Sequence, residues 1–195
     1  MAHYFSKLPP SESKAFSIQY QFKNHSFTFV SDTGVFSKDH VDEATDLLLK
    51  NLQPPNTVHS ALDLGCGYGV IGIVLNKVFN LSVSMSDVNI RAIDLAQRNL
   101  KVNKAQGQVV ESDGFESLQE TFDLIVTNPP IRVGKEKMYH LFEQSLQHLN
   151  DHGELWLVIH KKHGALSALK HLKTLCEGDI VNRTKGFHVI RCKKH

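Results

Sequence analysis

The sequence has few cysteines and no long apolar run, and each lack excludes a class of protein. Its three cysteines are widely spaced and odd in number, so they indicate neither a disulfide framework nor a zinc site. No apolar run is long enough to span a membrane, and the first residues lack the apolar core of a signal peptide. The 12 histidines show no metal-ligand spacing. We therefore expect a cytoplasmic protein that contacts no membrane and binds no metal ion.

The net charge is only +2, but it is unevenly distributed along the chain. Residues 161–195 hold nine basic and two acidic residues, a balance of +7, whereas the other 160 residues hold 13 basic and 18 acidic residues, a balance of −5. Such asymmetry can mark a surface that faces a polyanion. A solvated basic tail that keeps the protein soluble would give the same pattern.

The chain has 195 residues, of which 41% are hydrophobic and 22% charged, as is typical of one globular domain. We predict a single domain over 1–195, made of a hairpin extension at 1–37 and a core at 38–195. In the extension, apolar residues alternate from Phe16 to Phe22 and from Phe27 to Phe29, around a turn at Lys23–His25. This pattern predicts two antiparallel strands.

In the core, apolar strands alternate with amphipathic helices that short segments connect. Repeated β–α units predict a doubly wound, Rossmann-like α/β fold. The last two strands have no helix between them, which predicts one antiparallel strand in an otherwise parallel seven-stranded sheet. The predicted strands are 58–64, 81–87, 108–111, 122–127, 153–160, 180–184 and 187–192, and the predicted helices are 37–51 (capped by Ser37), 70–79, 90–102, 135–149 and 164–176.

A glycine-rich segment ends the first core strand. Gly65, Gly67 and Gly69 are predicted to lie at the carboxyl edge of the sheet, where doubly wound folds bind ligands. Their missing side chains let the backbone approach a ligand, and the following helix offers free N–H groups. Together with Gly72 the segment also satisfies the dinucleotide-binding pattern. A glycine turn used only for close packing is a further alternative.

Acidic residues at the ends of the first three core strands suit S-adenosylmethionine (SAM) as the ligand. Asp63 precedes the glycines, a position that suits a ligand with a cationic amino acid end better than a pyrophosphate. Asp87 can accept both ribose hydroxyls, although NAD enzymes share this feature. Asp113, followed by Gly114, can reach an adenine amino group, although an Asp-Gly turn alone is a common origin of such a pair.

A second motif, Asn128-Pro129-Pro130, follows the apolar run at 122–127. The Asn128 side-chain oxygen and the Pro129 carbonyl can each accept one N–H of a planar amine, and the two prolines make that carbonyl rigid. Holding both N–H groups aims the nitrogen lone pair at a methyl donor, so positioning can supply most of the catalysis. With the glycines upstream, the motif predicts methyl transfer to an exocyclic amine; a structural double-proline loop is the alternative.

Taken together, these motifs resemble the "small-domain" methyltransferases of class I, specifically the ribosomal small-subunit RNA guanine-N2 methyltransferase C family. The resemblance covers nearly the whole chain from Phe27 onward. It is carried by SDTGVFS at 31–37, LDLGCGYG at 62–69, SDVN at 86–89 and NPPIRVGK at 128–135.

The resemblance implies SAM as methyl donor, S-adenosylhomocysteine as product, and ribosomal RNA or the small ribosomal subunit as partner. It also implies target-amine binding by Asn128 and Pro129, with 34–37 bordering the site. We assign Asn128, Pro129 and Pro130 to catalysis, and Asp63, Gly65, Cys66, Gly67, Gly69, Asp87, Val88, Asp113, Gly114 and Asn128 to cofactor binding.

Two departures from the family concern the substrate. Many relatives have an aromatic residue after the prolines that stacks on the target base, whereas this chain has Ile131; Phe36 is the candidate replacement. The best-known members also have a second, amino-terminal half that helps to hold RNA, and we expect a homodimer or the basic 161–195 region to take its place. Arg132 and Lys135 are predicted to contact phosphates beside a flipped base; a charged loop and helix start would look the same.

The expected function is methyl transfer from SAM to guanine N2 of 16S ribosomal RNA. Adenine N6 in nucleic acid and a glutamine amide in a protein are alternative targets of the same chemistry. Ile131 argues mildly against both, because those enzymes usually keep an aromatic residue there. An NAD-dependent oxidoreductase and a non-catalytic RNA-binding module are the remaining alternatives, although the chain offers no evident hydride-site residues.

Overall fold

The computed structural model describes residues 15–32, 40–130 and 133–194, and the predicted alternation of strands and helices is present within them. The predicted hairpin consists of β1 (Ala15–Phe22) and β2 (His25–Asp32). The core strands are β3 (Ser60–Leu64), β4 (Ser82–Asp87), β5 (Gln108–Glu111), β6 (Phe122–Thr127), β7 (Leu149–His160), β8 (Glu177–Thr184) and β9 (Phe187–Lys193). The helices are α1 (Glu43–Asn51), α2 (Val70–Phe79), α3 (Ile90–Val102), α4 (Lys135–Gln147) and α5 (Ala165–Leu172), and a 3₁₀ turn lies at Lys161–His163.

The core strands form one seven-stranded sheet in the order β5-β4-β3-β6-β7-β9-β8. Strands β5, β4, β3, β6 and β7 are parallel, and β9 runs antiparallel to both of its neighbours. This confirms the predicted mostly parallel sheet with one antiparallel strand. The strand order changes direction between β3 and β6, and a doubly wound sheet opens a crevice at such a point.

Two apolar layers cover the two faces of the sheet. The hairpin, α1, α2 and α3 bury one layer, which receives Leu124 and Val126 from β6; α4 and α5 bury the other, which receives Ile125 from the same strand. Helix α2 packs closely, because a Cβ added at Gly72 would lie 2.5 Å from the Met85 side chain. A glycine at 72 therefore lets α2 approach β4, which fixes the start of the helix at the carboxyl edge of the sheet.

The hairpin is held against α3 by two asparagine side chains. Asn103 Oδ1 accepts from the Thr28 N–H at 3.0 Å, and Asn103 Nδ2 donates to the Thr28 carbonyl at 2.9 Å. Asn99, one turn earlier, makes the same pair of bonds to Val30, at 2.7 and 2.9 Å. Asn99 Nδ2 also donates to the Tyr68 carbonyl at 2.8 Å. The amides thus satisfy backbone groups that a third strand would otherwise pair.

The largest error in the predicted boundaries concerns α1. The prediction placed the helix start at Ser37, which lies outside the described residues, but residues 40–42 are not helical and Asp42 is the N-cap. Asp42 Oδ2 accepts from the Thr45 N–H at 3.0 Å, a bond typical of an N-cap. Smaller differences are the later start of β3, the earlier start of β7 and β8, and the end of α5 at Leu172 rather than at Cys176.

Candidate functional site

A cavity of about 600 Å³ lies at the carboxyl edge of the sheet, across the point where the strand order changes direction. Its volume is within the range of small-molecule and cofactor sites. Most of the predicted site residues line it. They are Gly65, Cys66, Gly67, Asp87, Val88, Asp113, Gly114, Asn128, Pro129 and Pro130.

The glycine loop is fixed by the end of β4. The N–H groups of Gly65 and Cys66 both donate to the Ser86 carbonyl at 2.9 Å. Asp87 Oδ2 accepts from the Gly67 N–H at 2.9 Å, where Gly67 has a φ of +55° that favours glycine. Burial raises the pKa of Asp87, and backbone N–H bonds act against that rise. Asp87 therefore shapes the loop and also presents its carboxylate to the cavity.

Asp63 lies beneath the loop and does not line the cavity, and the same is true of Gly69. The Asp63 side chain is fully buried; its Oδ2 accepts from the Gly72 N–H at 2.8 Å, and its Oδ1 has no hydrogen-bond partner among the described residues. The assignment of Asp63 to cofactor binding stays a prediction, and any effect on a ligand would act through the backbone that Asp63 holds. In this geometry Asp63 holds the first turn of α2 against β3.

Burial raises the pKa of Asp63 to about 7, although its bond from the Gly72 N–H lowers it. A folded-state pKa above the unfolded value means that the native protein binds the proton more tightly. We therefore expect the free energy of unfolding, relative to that of Asp63→Asn, to fall as the pH rises from about 4 to about 7. Urea unfolding of both proteins across this range measures the difference, and a constant difference would contradict the buried titration.

The segment after β5 completes the wall of the cavity near β4. Asp113 is exposed on this wall, and Gly114 has a φ of +57°. Ser112, just before them, donates from its N–H to the Asp87 carbonyl at 3.0 Å and from Oγ to the Gly114 carbonyl at 2.9 Å. These bonds fix the turn beside β4, with the Asp113 carboxylate facing the same cavity as that of Asp87.

The amide of Asn128 has a defined orientation. Asn128 Nδ2 donates to Asp42 Oδ2 at 2.8 Å and to Thr45 Oγ1 at 3.1 Å. A carboxylate can only accept, so the amide nitrogen and not the oxygen must face Asp42. The Asn128 oxygen is therefore the group left for a ligand. Beneath it, Thr127 Oγ1 donates to the Leu64 carbonyl at 2.8 Å and joins the motif to β3.

Sequence reasoning missed several residues of the cavity wall, two of which bind Asn128. Val41, Asp42 and Thr45 line the cavity from the start of α1, and Lys137 and His163 line it from α4 and the 3₁₀ turn. An Asp three residues before a Thr at a helix start signals an N-cap. No local signal connects residue 42 to a motif 86 positions away.

Three of the predicted substrate residues, Phe36, Ile131 and Arg132, lie outside the described residues. Lys135 is the first residue of α4; it is exposed and does not line the cavity. Its Nζ lies 5.3 Å from the centroid of the Tyr139 ring, one turn along the helix. Its predicted contact with phosphate stays a prediction.

The cavity wall and the other described residues lack a cluster of side chains that could bind a metal ion. No group of three or more His, Cys, Asp or Glu side chains that could hold a metal ion is present among the described residues. Cys66 is on the cavity wall, where burial raises the pKa of its thiol. In the described part of the chain, no helix is long and apolar enough to cross a membrane.

The doubly wound sheet, the glycine loop with Asp87 and the Asn-Pro-Pro turn define the class of SAM-dependent methyltransferases. The family model of the methyltransferase small domain matches residues 26–191, and the chain belongs to this family. This membership excludes the oxidoreductase alternative. The dinucleotide-like glycine spacing has another explanation, because Gly72 lets α2 pack against Met85.

Known relatives support this assignment. The uncharacterized protein YbxB of Bacillus subtilis is 41% identical over 197 residues, which cover 98% of each chain. The ribosomal RNA small subunit methyltransferase C of Haemophilus influenzae is 39% identical over 157 residues, which cover 77% of this chain and 47% of the relative. A structure of the T. thermophilus 16S rRNA N2 methyltransferase in complex with AdoMet and guanosine matches with a TM-score of 0.83 at 28% identity, covering 95% of this chain and 52% of that one. This chain thus spans about half the length of the ribosomal RNA methyltransferases that it matches.

Proposed function

We propose that this protein transfers the methyl group of SAM to guanine N2 of 16S ribosomal RNA. The observation that carries the amine target is the orientation of Asn128, whose amide nitrogen is held by Asp42 and Thr45. Its oxygen is left to accept one N–H of an exocyclic amine. The carbonyl of Pro129, held rigid by the ring of Pro130, accepts the other.

This arrangement answers the main difficulty of the reaction. An exocyclic amine is a poor nucleophile because its lone pair is delocalised into the ring. Two fixed acceptors orient the amine so that the lone pair points along the cavity towards the methyl donor. Well-aligned reactants gain roughly 7–11 kcal/mol relative to free reactants. The nitrogen–methyl bond forms as the sulfur–methyl bond breaks, and the alkylated nitrogen then loses a proton to water, so no base has to act first.

The residues of the cavity fit SAM, whose sulfonium supplies a reactive methyl group. Asp87 would accept the ribose hydroxyls, and Asp113 would accept the adenine amino group. The glycine loop leaves room for the amino acid end, and Asp63 holds the first turn of the helix that follows this loop. Two carboxylates at one end of the cavity also suit a ligand that carries a positive charge.

The choice of guanine and of ribosomal RNA is supported by the relatives. The H. influenzae relative is named a ribosomal RNA small subunit methyltransferase, and the T. thermophilus structure contains guanosine. Both chains are about twice as long as the segment that they share with this one. The substrate is therefore proposed from the segment that these relatives share with this chain.

The test uses methyl-labelled SAM and small ribosomal subunits from a strain that lacks this protein. The RNA is digested, and the labelled nucleoside is identified by mass spectrometry. Labelled N2-methylguanosine is the expected product. Labelled N6-methyladenosine would keep the reaction and overturn the base, whereas label in a ribosomal protein would overturn RNA as the substrate. A protein with Asn128→Ala serves as the control for contaminating activity.

A further inference from the structure

The cavity has carboxylates at one end and cations at the other. Along the sheet order, Asp113 follows β5 and Asp87 ends β4, so both carboxylates lie on one side of the glycine loop. Asn128 follows β6, on the other side of that loop. Beyond it, His163 lines the cavity from the 3₁₀ turn after β7. The candidate amine acceptor thus lies between an acidic end and a basic end.

The basic end extends outward from the cavity as a rim of exposed side chains. We define the basic rim as Lys135, Lys137, Lys161, Lys162 and His163, all of which are exposed. Lys137 and His163 reach the cavity itself. Within the described residues, none of the four lysines forms an ion pair. Their charges are therefore available to a partner.

The acidic groups near this end are mostly engaged. Glu43 Oε1 pairs with Lys185 Nζ at 2.6 Å, and Asp42 binds Asn128 and the first turn of α1. Glu136 remains as an exposed acid within the rim. One glutamate against four lysines leaves a net positive surface that would attract an anion.

The rim is part of the folded core and not a loose basic tail. The Lys161 N–H donates to the Gly186 carbonyl at 2.7 Å, and the Lys162 N–H donates to His160 Nδ1 at 3.2 Å. Both bonds use the backbone N–H groups of the lysines, so the lysine side chains extend from a fixed turn. Three other basic residues of the 161–195 region are engaged in ion pairs: Arg191 pairs with Asp179, Lys193 with Glu154 and Lys185 with Glu43.

We infer that the basic rim binds phosphates of the RNA strand that carries the target base, an inference that rests on the proposed function. A base that lies over Asn128 with its backbone turned towards the acidic end would place phosphate near Asp87 and Asp113. With its backbone turned the other way, the same base places phosphates beside Lys161, Lys162 and Lys137. The charge distribution therefore sets the direction from which the strand approaches. The target base must leave its stack to reach the cavity, which favours an unpaired segment.

The experiment compares the wild-type protein with Lys161→Gln/Lys162→Gln. The matched control is Lys77→Gln/Lys101→Gln, which removes two exposed lysines from the ends of α2 and α3, opposite the cavity. Binding to a fluorescein-labelled RNA stem-loop with loop guanines, and to isolated small subunits, is measured over a salt series with S-adenosylhomocysteine present. The slope of log affinity against log salt is negative, and each lost contact with single-strand phosphate makes it less steep by about 0.7.

We expect the rim variant to bind RNA more weakly, with a slope that is less steep by about 1.4, and the control to match the wild-type protein. Equal slopes for the rim variant and the wild-type protein would overturn the inference and leave the proposed function intact. Failure of the proposed function is detected separately, as an absence of labelled RNA in the methyl-transfer assay. If label then appeared in an acidic protein whose binding required the rim, the partner would be that protein and the inference would be wrong.

Discussion

Replacing Asn128 by alanine is expected to lower kcat by about 10³-fold, while the dissociation constant for SAM changes by no more than about threefold. The alanine cannot accept an N–H, so the target amine loses one of its two proposed acceptors. The glycine loop and Asp87, which are proposed to hold SAM, are fixed by bonds that do not involve residue 128. We therefore expect this variant to retain SAM binding while it loses methyl transfer.

Isothermal titration with SAM and single-turnover methyl transfer at saturating RNA measure the two effects independently. A thermal unfolding curve checks that the variant is folded. We expect it to be folded, because the Asp42 carboxylate loses the Asn128 donor but keeps the Thr45 N–H. A large loss of SAM affinity with unchanged single-turnover chemistry would place Asn128 in cofactor binding and not in amine binding.

Replacing Asp42 by alanine is expected to lower kcat by about 10²-fold, because the remaining partner of the Asn128 amide, Thr45 Oγ1, can donate as well as accept and so no longer fixes which end of the amide faces it. The same change removes the N-cap of α1, at a cost of about 1 kcal/mol in the free energy of unfolding. SAM affinity is expected to change little. The test measures kcat and the KM for RNA in steady state, together with urea unfolding.

Two further substitutions separate the cap from the contact with Asn128. In Asp42→Asn an amide oxygen still accepts from both Thr45 and Asn128, so most of the activity should remain. In Asp42→Ser the hydroxyl can cap the helix but is too short to reach Asn128, so stability should recover and activity should not. Parallel loss of stability and activity in all three variants would show that Asp42 acts only through the helix.

The layer architecture could be predicted because it depends on local periodicity. Strands such as 122–127 are mostly apolar, as expected for a strand covered on both faces, and the absence of a helix before β9 correctly predicted its antiparallel direction. The extent of β7 could not be predicted, since its pairing with β6 is irregular between Phe122 and Leu124. That irregularity depends on the partner strand and has no signal in the segment itself.

Sequence reasoning placed correctly those residues of the candidate site whose position depends on the backbone. It could not place residues whose position depends on the direction of the side chain. Residues at the carboxyl ends of parallel strands meet at one edge, so Asp87, Asp113 and Asn128 were brought together as expected. Asp63 lies inside a strand, where alternate residues face opposite layers. Its neighbour two positions earlier, Ala61, lies in the layer beneath α2, so the same period places Asp63 under the loop and away from the cavity.

Asn99 connects two parts of the molecule that are far apart in sequence. Its amide nitrogen donates to the carbonyl of Val30 in the hairpin and to that of Tyr68 in the glycine loop, and its side chain is fully buried. The buried Asn99 amide thus links the position of the hairpin to that of the glycine loop. Free-energy coupling of this kind is reciprocal. Whatever tightens the glycine loop must, by the same amount, hold the hairpin more firmly against α3, so the extension and the loop form one thermodynamic unit.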